Sequence, residues 1–199
     1  MNTPNKLTLA RMIATPVFMA VMLINFNYHY LISLVLFIAA SLTDMIDGKM
    51  ARKYNMVTDF GKFMDPLADK MLTTSAYLGF MYIYGGTKYA WHIVAITFIV
   101  LFREFAVSSI RLVAVTAGGK VVAANMWGKL KTVSQMAGII FALFIFALGE
   151  FGLLKGTSID TVMLLQGIII ALFWVSAVLC VISGVIYIWG GKEYIKNAK

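Results

Sequence analysis

The sequence predicts an all-α integral membrane protein: six transmembrane helices with an N-terminal interfacial segment, forming a single membrane-embedded domain over residues 1–199. Three observations carry that expectation. Of 199 residues, 61% are hydrophobic and only 13% charged, where an average soluble domain is nearer half apolar and one quarter charged. The apolar residues gather into six stretches with short polar breaks; a spanning helix takes about 20 residues, so six spans leave no room for a separate soluble domain. The positive charges then sort to one side. If both termini share a side, all of the 17 Lys and Arg except Lys88 and Lys155 fall on it, which places both ends in the cytoplasm. The net charge of +8 is accordingly read as attraction to anionic membrane lipids and positive-inside bias, with no nucleic-acid partner.

The elements follow in order. The first stretch, about 8–26, is apolar from Met12 to Phe26 and shows no small-residue cleavage site, so it is a retained helix and not a signal peptide. It also lacks the Arg- and Ser-rich character of an organelle transit peptide, which favours a bacterial cell membrane. After a break at Asn25–His29 come the second stretch, 30–50, and the third, 63–84; both carry polar residues inside the helical pattern. Gly85-Gly86-Thr87-Lys88 precedes the fourth, 90–117, and Gly118-Gly119-Lys120 the fifth, 126–149. The break at 150–160 precedes the sixth, 161–189. Gly pairs and charges mark these breaks as loops. Trp91, Trp127 and Trp189 fall near segment ends, where aromatic side chains anchor helices at the interface. The single Cys180 lies in an apolar run, so no disulfide framework is expected.

Five of the nine carboxylates lie between positions 44 and 69: Asp44, Asp47, Asp59, Asp65 and Asp69. Clustered like charges at a membrane boundary are costly without compensating cations. Asp44, Asp47, Gly48 and Ala51 stand at i, i+3, i+4 and i+7, and Gly61, Asp65 and Asp69 at i, i+4 and i+8, so each set shares a helical face. Two adjacent antiparallel helices would bring four carboxylates together. Hard oxygen ligands without Cys or His point to Mg2+ or Mn2+, and a pair of such ions serves phosphoryl chemistry. Arg52 adds a planar cation suited to phosphate.

The run Asp44-Met-Ile-Asp47-Gly48-Lys-Met-Ala51-Arg52, then eight residues, then Gly61-Lys-Phe-Met-Asp65-Pro-Leu-Ala-Asp69 resembles the motif of the CDP-alcohol phosphotransferases, D-x2-D-G-x2-A-R-x8/9-G-x3-D-x3-D. Every fixed position is present. The resemblance implies the six-helix fold of that family, a homodimer, and an alcohol that displaces CMP from a CDP-linked substrate. It implies that Asp44, Asp47, Asp65 and Asp69 hold two divalent metal ions, and that Asp69 is also the base. It implies further that Gly48, Ala51, Arg52 and Gly61 surround the CDP moiety. Thr58 either contacts the nucleotide or caps the helix beside Asp59. Pro66 either kinks the third helix or occupies the first turn of a helix that starts later.

Arg103 and Arg111 lie within about 80° of one face of the fourth helix at ~100° per residue, with Glu104 and Ser108 on helical spacing toward Arg111. Lys129, Lys131 and Gln135 open the fifth. Arg103, Arg111 and Lys131 are therefore assigned to an anionic, phosphate-bearing acceptor. The stretches Arg103–Arg111, Gly128–Gln135 and Pro4–Arg11 resemble the bacterial phosphatidylglycerophosphate synthase branch of the family. That branch implies transfer from CDP-diacylglycerol to sn-glycerol 3-phosphate, giving phosphatidylglycerol phosphate and CMP. Two alternatives stand beside it. One is another acceptor in the same family: phosphatidylglycerol, inositol phosphate or serine. The other is a divalent-cation channel or carrier, which expects acids on both halves of the path.

Overall fold

The computed structural model describes residues 2–53, 59–116 and 126–196; at positions 3–4, 45–53, 59–60, 62–63, 65–66, 112–116 and 191–196 it describes backbone alone. Six helices result: α1 (Thr3–Leu23), α2 (His29–Lys53), α3 (Asp59–Ile83), α4 (Ala90–Thr116), α5 (Met126–Glu150) and α6 (Ile159–Lys196). In lipid each backbone polar group must be satisfied within the segment, which leaves the helix as the natural spanning element for such a chain. Asn2 caps α1, its side chain accepting from the Asn5 amide at 3.1 Å. The interfacial segment expected at the N-terminus is continuous with this helix. The loop from α3 to α4 turns at Gly86 (φ 78°) and that from α5 to α6 at Gly152 and Gly156 (φ 71° and 88°), positions where a side chain would clash with its own backbone. α3 runs through Pro66 from Asp59, so Pro66 sits inside the helix and not in a first turn.

Among the described residues, four stretches are long and apolar enough to cross a bilayer: Asn5–Leu23, Ala90–Arg111, Met126–Glu150 and Ile159–Gly190. Among the described residues, His29–Asp44 of α2 form a shorter apolar stretch. Both α2 and α3 have 25 residues, about 38 Å at ~1.5 Å per residue. The chain is a multi-pass membrane protein.

The helices close a ring: α1 packs along both α2 and α3, α3 meets α4, α4 and α5 lie along α6, and α5 returns to α2. The sequence suggested direct pairing of α2 with α3. Among the described residues these two touch only sparingly, because α1 lies along both. Phe37, Tyr77, Phe80, Leu143 and Phe173 fill the middle of the ring, all fully buried. Lipid tails are as apolar as leucine, so such contacts hold by close packing more than by escape from water. Small residues permit it: a Cβ on Gly79 of α3 would lie 2.6 Å from Met22 Sδ of α1, and one on Gly138 of α5 would lie 3.0 Å from the Phe173 ring of α6. The up-and-down path gathers the start of α1, α3 and α5 and the end of α2, α4 and α6 at one end of the ring. That end carries the site.

Candidate active site

A cleft of about 680 Å³ opens there, and residues from five helices line it. α2 supplies Asp44 and α3 supplies Asp69 and Lys70. α4 contributes Arg103, Glu104 and Arg111, α5 contributes Lys129 and Lys131, and α6 contributes Tyr187. The two described metal-ligand candidates and all three acceptor candidates thus share one cavity. Gly61 is buried in α3. Asp47, Gly48, Ala51, Arg52 and Asp65 take their expected helical register on α2 and α3, but their side chains lie outside the described residues, as does Thr58 altogether.

The charges are held from several directions. Arg11 of α1, only 2% exposed, donates from Nη1 to Asp44 Oδ1. Lys70 donates to Ser108 Oγ, which itself donates to the Glu104 carbonyl at 2.6 Å. Glu104 Oε1 accepts from Lys131 Nζ and, at 3.2 Å, from Arg103 Nη1. Arg103 Nη2 donates to Ser183 Oγ of α6 at 2.9 Å. Beside it Gly184 leaves room for the Arg103 stem, since a Cβ there would come 3.1 Å from Arg103 Cγ. Arg111 is exposed at the mouth, its guanidinium carbon 5.8 Å from the centre of the Tyr187 ring, a cation–π distance.

The sequence put Arg103, Arg111 and Lys131 at one end of the helices, where they line the cleft, but did not show what holds them. Arg11, Lys70, Ser183 and Tyr187 were not singled out as site residues. Lys70 stands next to Asp69, and Glu104 and Ser108 lie on the spacing already noted, so a signal existed for these. For Ser183 and Tyr187, set in a generic apolar helix, none did.

The donor set fits a hard cation. Asp44 and Asp69 offer carboxylate oxygens to one cavity, and neither His nor Cys lines it. His29 and His92 sit at the opposite end, His29 Nε2 3.4 Å from Glu150 and His92 Nδ1 accepting from Trp174 at 3.1 Å. Among the described residues no three acids, histidines or cysteines come together; the side chains of Asp47 and Asp65 lie outside them. Cations stand beside the carboxylates in this cleft, a pairing suited to charge-assisted contacts with anionic groups.

Comparison with known proteins bears on the same chemistry. A CDP-diacylglycerol–glycerol-3-phosphate 3-phosphatidyltransferase of Bacillus subtilis (strain 168) is 43% identical over 150 residues, 69% of this chain and 74% of its own. One of Rickettsia bellii (strain RML369-C) is 36% identical over 197 residues, 97% of each chain. A probable phosphatidylglycerophosphate synthase of Mycobacterium tuberculosis (strain CDC 1551 / Oshkosh) is 37% identical over 141 residues, 69% of this chain and 64% of its own. The model of the CDP-alcohol phosphatidyltransferases matches residues 1–189, and the chain belongs to that family.

Proposed function

We propose that this chain is a single catalytic domain that transfers the phosphatidyl group of CDP-diacylglycerol to sn-glycerol 3-phosphate, releasing CMP, at a site facing the cytoplasm and inner leaflet of a bacterial cell membrane. The observation that carries the reading is the shared cleft, with carboxylates from α2 and α3 and cations from α4 and α5. The names of the relatives favour glycerol 3-phosphate among possible acceptors. An alcohol has a pKa far above 7, so its attack on phosphorus needs a base within hydrogen-bond reach. Asp69 takes the hydroxyl proton as the alcohol oxygen bonds to the phosphatidyl phosphorus. The bond from that phosphorus to the CMP oxygen breaks, and CMP leaves with the electron pair. Arg103, Arg111 and Lys131 hold the acceptor's phosphate, while Gly48, Ala51, Arg52, Thr58 and Gly61 form the CDP side. Asp44, Asp47, Asp65 and Asp69 would hold two divalent ions, Mg2+ or Mn2+, which when bound neutralise phosphate oxygens and stabilise the leaving group. A homodimer belongs to the same reading, by family resemblance.

A channel or carrier is less well supported, because the ring is plugged by Phe37, Tyr77, Phe80 and Phe173 between its two ends. The test is product analysis by mass spectrometry, with purified protein, CDP-diacylglycerol, Mg2+ and a panel of alcohols. Phosphatidylglycerol phosphate should form with glycerol 3-phosphate, stop with a chelator and return with Mg2+. Product from inositol phosphate or serine alone would keep the aspartate chemistry and discard the acceptor assignment. Cation flux in proteoliposomes with no product from any alcohol would favour the carrier.

A further inference from the structure

Glu104 has no part in the proton transfer or the metal set, yet it is the most enclosed charge of the cleft's α4 wall, only 8% exposed. Its Oε1 is the common acceptor for Lys131 Nζ and Arg103 Nη1. Two cations bound to one oxygen lie close enough to repel strongly, and the repulsion is greater where water is excluded. Lys131 is itself 7% exposed. A lysine with so long a stem would otherwise turn its ammonium toward water. Arg103 is fixed a second time through Ser183, and among the described residues its buried Nε has no partner. Arg111, by contrast, stands exposed at the mouth. Of the three acceptor candidates, Arg111 is thus exposed and the other two are clamped by a buried carboxylate.

We propose that Glu104 is a positioning residue: it holds Lys131 and Arg103 side by side on the wall of the cleft, so that their remaining donors meet the phosphate of the acceptor alcohol. This rests on the acceptor reading given above. The clamp acts on acceptor binding and leaves the nucleotide-lipid side of the site alone. Preorganised donors bind an anion without first having to be ordered.

The test compares wild type, Glu104→Gln, Glu104→Asp and Ser183→Ala in the CMP-release assay, varying each substrate in turn and recording thermal midpoints in detergent. Glu104→Gln keeps size and an acceptor oxygen but loses the charge. Its KM for glycerol 3-phosphate should rise about tenfold or more, the loss expected when one member of a buried ion pair goes. The KM for CDP-diacylglycerol and kcat at saturating acceptor should stay within about threefold. Glu104→Asp, which keeps the charge, should recover most of the acceptor KM, and Ser183→Ala should raise it less than Glu104→Gln does. In a Lys131→Gln background the effect of Glu104→Gln should shrink, since the two share one contact. If Glu104→Gln does not fold, an acceptor KM in Ser183→Ala equal to wild type overturns the inference. So does a folded Glu104→Gln with unchanged acceptor KM, or one in which both KM values rise together with a lowered thermal midpoint. Wild type without acceptor-dependent release overturns the reaction reading and this inference with it; acceptor-dependent wild type with an unmoved Glu104→Gln overturns this inference alone.

Discussion

Arg103, Arg111 and Lys131 reach the same cleft by different physical routes, and the difference sets what each variant should do. Arg111 is exposed and steadied mainly by the Tyr187 ring, so its removal leaves no buried charge without a partner. Arg111→Ala should raise the KM for glycerol 3-phosphate about tenfold, the scale of one charge-assisted contact to phosphate, with the thermal midpoint unchanged; steady-state kinetics beside a melting curve checks both. These three cations were legible in the sequence because helical spacing put them at the charged ends of spans. Their counter-ion was not. Lys131 lies 27 positions from Glu104 and Arg11 lies 33 from Asp44, and no local pattern reports which of several carboxylates a distant cation will meet. Asp47 and Asp65 keep the register the motif gives them, with side chains outside the described residues.

At the scale of the helix, the apolar stretches marked the spans well and their ends less well. The sixth stretch was read as 161–189, whereas α6 runs Ile159–Lys196. At ~1.5 Å per residue its 38 residues cover about 57 Å, against ~30 Å of hydrocarbon. Hydropathy reports where a helix meets lipid, not where it stops. The partner of each helix was also hidden, because α2 and α3 are neighbours in sequence while α1 lies along both. Close contacts at glycine show where the ring depends on small residues. Gly138→Leu should force the Phe173 ring of α6 aside and destabilise the protein by about 1–3 kcal/mol, the usual cost of overpacking. Gly167→Leu, on the same pair of helices where a Cβ would meet nothing within 4 Å, should leave the melting midpoint where it was. Equal effects from the two would remove the packing argument.

The whole molecule divides its ends by chemistry. One end gathers Asp44, Asp69 and the cations of α4 and α5; the other has the His29–Glu150 pair, Lys88 and Lys155. If the first end faces the cytoplasm, single cysteines placed at Lys88 or Lys155 in a Cys180→Ser background should react with an impermeant thiol reagent in intact cells. One placed at Lys129 should react only after the membrane is opened. The reverse pattern would invert the orientation and with it the access of glycerol 3-phosphate. The sequence made this division visible because charge sorting across a bilayer is a property of the whole chain and survives ignorance of every contact. In the proposed reaction Asp69 takes the proton as CMP departs, and single-turnover CMP release by wild type and Asp69→Asn, with CDP-diacylglycerol bound and glycerol 3-phosphate saturating, isolates that step. Asp69→Asn should bind CDP-diacylglycerol within about threefold of wild type and release CMP at least about 100-fold more slowly, the scale of a lost general base. Release at the wild-type rate would contradict that role for Asp69.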